Sequence, residues 1–147
     1  MTATEILKQD HREAIGLFER LEGTGEAPGA GGSKDELFNQ LKGALKLHTK
    51  LEEKIFYPAL ENFDETRDLI KESYREHQKV DQLLAEINPA AGDFANKLSE
   101  LRRNVEHHVE EEEGEMFPKA ERLLGQSRLQ EMGRQMEQMK KGRPATA

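Results

Sequence analysis

The stretch HTKLEEKIFYP, residues 48–58, decides the fold because it returns as HVEEEEGEMFP at residues 108–118. In both copies a histidine is followed four residues later by glutamate, Glu52 or Glu112, and ten residues later by proline, Pro58 or Pro118. A lone His-x-x-x-Glu means little in a chain with 29 acidic residues among 147, since about one position in five would match. The shared register with the proline and the apolar neighbours carries the weight. Working outward, each copy is preceded by a second matching helix. D-His11-REAIGLFERL stands before the first copy and E-His77-QKVDQLLAEI before the second. The chain therefore reads H, HxxxE, H, HxxxE, an internal repeat of two helix pairs.

Capping signals and Gly/Pro clusters place these pairs on four long helices with no alternating strand pattern between them. The first helix runs from the capping box Thr2-x-x-Glu5 to Gly23, with Leu7, Ala14, Ile15, Phe18 and Leu21 at helical spacing. GTGEAPGAGG, residues 23–32, has five glycines in ten positions and reads as a flexible surface loop. A second box, Ser33-x-x-Glu36, opens a helix that reaches toward Pro58, and a third runs from Asp64 to Asn88, stopped by Pro89 and Gly92. The fourth spans Asp93 to Leu124, with Pro118 expected to bend or break its end. Ser127-x-x-Gln130 caps a last short helix whose Leu129, Met132, Met136 and Met139 form one stripe, expected to pack on the bundle. The expected organisation is an all-α, up-down-up-down four-helix bundle over residues 1–125, an amphipathic helix over 126–141 and a frayed tail over 142–147.

Composition removes many alternatives. A chain of 147 residues suits one core, and 22 basic against 29 acidic side chains leave a net charge of −7, which disfavours a nucleic-acid surface. Without cysteine there can be no disulfide framework, thiolate zinc site or cysteine-ligated cluster. No apolar run approaches the roughly 18 to 20 residues that span a bilayer, and MTATEILKQDH holds no signal-peptide core, so no membrane association and a cytoplasmic location are expected.

Helical geometry turns the histidines inward. At about 100° per residue, Glu52 lies about 40° from His48, while Leu37, Leu41 and Ile55 lie within about 20° of it. In the fourth helix Leu101 falls about 20° from His108, and Phe94 and Glu112 about 40°. His107, which also heads an HxxxE, points the opposite way and is read as a solvent-facing bystander. Burying a neutral polar group without a partner costs roughly 2 to 7 kcal/mol, and an unpaired carboxylate costs more. Six inward polar groups, His11, His48, Glu52, His77, His108 and Glu112, therefore call for compensation. A satisfied hydrogen-bond network is one answer. Coordinated metal is the stronger one, because imidazole with carboxylate suits iron, manganese or zinc. The residues three before each histidine are Lys8, Leu45, Tyr74, Asn104 and Val105, none acidic, so the Glu-x-x-His pattern of ferritin-like proteins is missing, as is HExxH.

The ordered histidine and glutamate set, over roughly residues 4–123, resembles the hemerythrin-like family, the HHE cation-binding domains. That resemblance implies two irons joined by Glu52, Glu112 and an oxo or hydroxo group, with His11 and His48 on one iron and His77 and His108 on the other. It leaves a position for dioxygen, peroxide or nitric oxide. Oxygen-carrying members have a further histidine where this chain has Asp81, which makes peroxide or redox chemistry a better expectation than reversible oxygen carriage. Asp81 is read as an extra ligand, a hydrogen-bond acceptor for a histidine, or a surface ion-pair residue. Glu115 falls near the His108 face, as a proton relay or within a solvated acidic run. Tyr74 is a candidate hydroxyl near the metals, and Tyr57 lies opposite the His48 face if the helix stays regular. Three functions stay open: a peroxide-decomposing, catalase-like di-iron enzyme; an iron, oxygen or nitric oxide binding, storage or sensing module; and a structural bundle holding zinc or nothing.

Overall fold

A computed structural model describes residues 1–24 and 31–142. Among them there is no strand. Helix α1 (Ala3–Thr24) and α2 (Gly31–Leu51) form the first antiparallel pair, and α4 (Asp64–Glu86) and α5 (Phe94–Glu111) the second. Between α2 and the short α3 (Tyr57–Leu60) lies a π-helical turn, Glu52–Phe56; a second π-helical turn, Glu112–Met116, joins α5 to α6 (Phe117–Lys141). The result is the expected four-helix bundle with an additional C-terminal helix.

The capping box forms as read: Thr2 N donates to Glu5 Oε1 at 2.9 Å and Glu5 N to Thr2 Oγ1 at 3.4 Å. The apolar periodicity of each helix faces inward and divides into two cores. One gathers Phe18, Leu41, Leu84, Phe94 and Leu101; the other gathers Ile6, Leu7, Phe56, Leu60, Ile70 and Phe117. Each fully buried large side chain contributes about 1.5–3 kcal/mol, so the two clusters can offset the cost of a buried polar layer between them. That layer is where the histidines lie.

Several boundaries differ from the sequence reading. Helix α2 begins at Gly31, ahead of the expected Ser33 cap; the Ser33 side chain, most of the glycine-rich loop and residues 143–147 lie outside the described residues. Helix α4 ends at Glu86, two residues early. Pro118 does not break its helix. Each proline instead sits just after a widened turn in which Tyr57 N–H bonds Glu52 O and Phe117 N–H bonds Glu112 O, five residues back. Proline lacks a donor and its ring crowds the preceding turn, and a π turn relieves both problems without ending the helix. The real interruption is Gly125, at φ 81° and ψ 163°, a conformation that glycine adopts readily. Beyond it Leu129, Met132 and Met136 are buried in the second core against Ala3 and Ile6. Gly133 lets the chain start approach: a Cβ there would lie 2.1 Å from Met1 O.

Candidate metal centre

All six expected side chains are buried and meet in one layer: His11, His48, Glu52, His77, His108 and Glu112. Their imidazoles form two pairs. His11 Nε2 and His48 Nε2 are 3.2 Å apart; His77 Nε2 and His108 Nε2 are 3.3 Å apart. The glutamates reach both pairs. Glu112 sets Oε1 3.1 Å from His11 and Oε2 3.3 Å from His108, while Glu52 Oε1 lies 2.9 Å from His77 and 3.4 Å from His48.

Each of these four histidines is held from behind by its own carboxylate. His11 Nδ1 faces Glu113 Oε2 at 2.7 Å, His48 Nδ1 faces Asp10 Oδ2 at 3.0 Å, His77 Nδ1 faces Glu53 Oε2 at 2.7 Å, and His108 Nδ1 faces Glu76 Oε1 at 2.5 Å. A proton on each Nδ1 leaves the Nε2 lone pair aimed at the centre, the arrangement by which carboxylates orient metal-binding imidazoles. The repeat sets the pattern. Asp10 and Glu76 each precede a histidine, Glu53 and Glu113 each follow an inward glutamate, and each supports a ring on a different helix. Helical spacing alone gives Asp10, Glu53, Glu76 and Glu113 no role. Their adjacency to the inward residues was the available signal.

Tyr57 was read as pointing away and instead enters the centre. The π turn adds one residue to the rotation, which moves everything beyond it by about 100° and swings Tyr57 from opposite His48 toward it. Its hydroxyl donates to Glu112 Oε2 at 2.5 Å and lies 3.1 Å from Glu52 Oε1 and 3.2 Å from His77 Nε2. The matching residue of the second copy is Phe117, whose ring stacks on His11 at 5.9 Å as that of Tyr57 stacks on His77 at 5.3 Å. The same rotation turns Glu115 out: it is exposed, with Met116 buried in its stead. Asp81 is exposed as well, beside Lys42 and Lys46 in a surface groove, so it neither ligates nor supports a histidine. Tyr74 meets the ring of Tyr57 edge-on, 5.3 Å between centroids. His107 is 64% exposed.

The electrostatics ask for positive charge at the middle. Burial works against an imidazolium at His48, yet the Glu52 carboxylate and the hydrogen bond to Asp10 push its pKa up to about 10. Burial alone would raise the Glu52 carboxyl; the charge on His48 and hydrogen bonding to His48 and His108 hold it well below the usual carboxylate range. Burial, with the Glu112 and Glu52 charges, keeps the Tyr57 phenol protonated well above its ordinary value. Glu52 Oε2 is fully buried and has no hydrogen-bond partner. An orphaned carboxylate oxygen beside converging imidazole lone pairs fits a bound cation, and the imidazole and carboxylate donors suit iron, manganese or zinc. Two groups, His11, His48, Glu52 and Glu112, and Glu52, His77 and His108, each bring their ligand atoms within 4.8 Å of one another.

The sequence pattern of the Hemerythrin HHE cation binding domain matches residues 2–141. The chain belongs to this family. Among solved structures, this HHE domain is similar to a hemerythrin HHE cation binding domain-containing protein from Mycobacterium kansasii. The TM-score is 0.78 at 26% identity, covering 96% of this chain and 88% of that one. An uncharacterized protein of Mycobacterium tuberculosis is 29% identical over 140 residues, 92% of this chain and 83% of its own length. A DNA nickase of Nostoc is 27% identical over 120 residues, 80% of this chain; the match spans only 33% of that protein. Among the described residues of this HHE domain, no helix is long and apolar enough to cross a membrane.

Proposed function

We propose that this HHE domain is a non-haem di-iron protein that reacts with dioxygen-derived small molecules, hydrogen peroxide foremost. The observation that carries the reading is the centre itself: two facing imidazole pairs, both reached by Glu52 and Glu112, around an orphaned buried carboxylate oxygen. His11 and His48 would hold one iron, His77 and His108 the other, with Glu52 and Glu112 bridging. Bound iron would supply the electron transfer by which one peroxide is oxidised to dioxygen and a second is reduced to two waters.

The chain's own groups have clear parts. Asp10, Glu53, Glu76 and Glu113 hold the four rings with Nε2 inward. Tyr57 keeps a proton on its hydroxyl at the heart of the layer, where it can donate a hydrogen bond to a peroxide oxygen. The Phe117 side offers no such donor, so the two metal positions are chemically unequal. A cavity of about 30 Å³ adjoins the imidazoles and is lined mainly by Ala14, Ala44, Leu45, Val80, Val105 and Val109. One water needs roughly 10–15 Å³ by the same measure, so the cavity suits a two-atom molecule. Its apolar wall favours a second reading, binding of dioxygen or nitric oxide for storage or sensing without turnover.

Metal analysis with an optical spectrum tests the proposal. About two irons per chain with near-ultraviolet oxo-to-iron absorption support it, and a fully folded chain that takes up no metal would remove it. His108→Ala and Glu112→Ala should abolish di-iron loading of the buried layer while His107→Ala leaves it intact. Oxygen evolution from added peroxide then separates turnover from binding.

A further inference from the structure

The repeat that builds the buried centre treats the backs of its two matching carboxylates differently. In the first half Asp10 supports His48 through Oδ2, and its other oxygen, Oδ1, receives the Lys140 ammonium at 2.5 Å from the C-terminal helix. A cation thus sits one carboxylate away from the centre. In the second half Glu76 supports His108 through Oε1, but its other oxygen faces a different set of groups. Glu76 Oε2 lies 3.7 Å from His107 Nε2, and the same nitrogen lies 2.5 Å from Glu111 Oε1.

The two halves of the chain differ here. Where the second copy has His107 and Glu111, one turn apart on the outer face of α5, the first copy has Leu47 and Leu51. Leu51 is fully buried, whereas His107 is open to solvent. The ligand atoms of Glu76, His107 and Glu111 lie within 4.8 Å of one another, contributed by two adjacent helices. Two carboxylates held together repel, and a cation between them relieves that repulsion as Lys140 relieves Asp10.

We infer that Glu76, His107 and Glu111 form a third, solvent-facing site for a divalent transition-metal ion, sharing the Glu76 carboxylate with the buried centre. One imidazole and two carboxylates, with the remaining positions open to water, suit zinc, manganese or ferrous iron. An ion there stands one carboxylate from His108, on the solvent side, where metal arriving at the domain can be held.

Equilibrium dialysis of the purified, metal-loaded chain against Zn2+, with all metals counted per chain, tests it. The wild type should take up one zinc equivalent beyond the metal already present. His107→Ala and Glu111→Gln should lose that equivalent and keep the buried metal count. Glu111→Lys, which brings an ammonium to the place where Asp10 has Lys140, should lose it too while its circular dichroism stays wild-type. If His107 merely neutralises the two carboxylates as an imidazolium, wild type and variants will take up equal zinc, and the site is overturned. An empty buried layer with the extra zinc equivalent present would instead count against the di-iron proposal alone.

Discussion

The Tyr57 hydroxyl donates to Glu112 Oε2 at 2.5 Å, tying the π turn of the first half to the inward glutamate of the second. Phe117, at the equivalent place, has no hydroxyl to return the bond. A nearly two-fold repeat thereby becomes an asymmetric centre through one oxygen atom.

Tyr57→Phe tests what that oxygen does. The ring still stacks on His77 and the six inward groups remain, so iron content should stay close to wild type. Peroxide turnover should fall by about 10²-fold or more, the usual scale for losing a positioned hydrogen-bond donor. Unchanged oxygen evolution at full iron loading would show that Tyr57 only packs.

The four carboxylates behind the histidines should matter nearly as much as the inward residues. Asp10→Asn or Glu113→Gln should weaken metal binding by about 10- to 100-fold, because a ring no longer held with Nε2 inward must be ordered on binding. Lys140→Ala, one bond further out, should have a smaller effect. Competition against a chelator gives the ranking, and equal loss for Lys140→Ala and Asp10→Asn would contradict it.

Stability against pH should run in opposite senses with and without metal. In the chelator-treated chain His48 is raised from 6.5 to about 10, so its stabilisation is complete below about 6.5 and is lost as pH rises through about 10. Glu52 is lowered, so its share is present above about 4.5 and is lost as pH falls below that. The metal-free melting temperature should therefore peak at about pH 4.5–6.5 and decline on the alkaline side. Metal needs neutral imidazole, so the loaded chain should gain over the same alkaline range. Melting curves of both forms from about pH 5 to about pH 9 check the crossing of trends.

Gly133→Ala should loosen the C-terminal helix from the chain start. The added methyl would meet the Met1 carbonyl at 2.1 Å, a backbone contact that no rotamer change relieves. A loss of about 1–3 kcal/mol is expected, the scale of overpacking in a tight contact. Denaturant unfolding measures it; a wild-type midpoint would mean the start of the chain moves aside freely.

The sequence by itself determined the helices, the repeat and the inward set. Spacing of Leu and Phe with His48 and His108 fixes which face is buried, and burial of six polar groups requires a shared centre. The Thr2 and Glu5 cap was legible for the same reason, since it depends on neighbours three residues apart. What sequence spacing could not supply depends on rotation and on partners across the bundle. Tyr57 and Glu115 were misplaced because a steady 100° per residue fails at a π turn, and only the prolines hinted at it. Asp81 lies at a suggestive register yet looks outward, because the packing of α4 and not the repeat sets its direction. Glu76 and Asp10 follow the same rule in sequence, and only the tertiary arrangement gives one a lysine and the other a histidine with a second carboxylate.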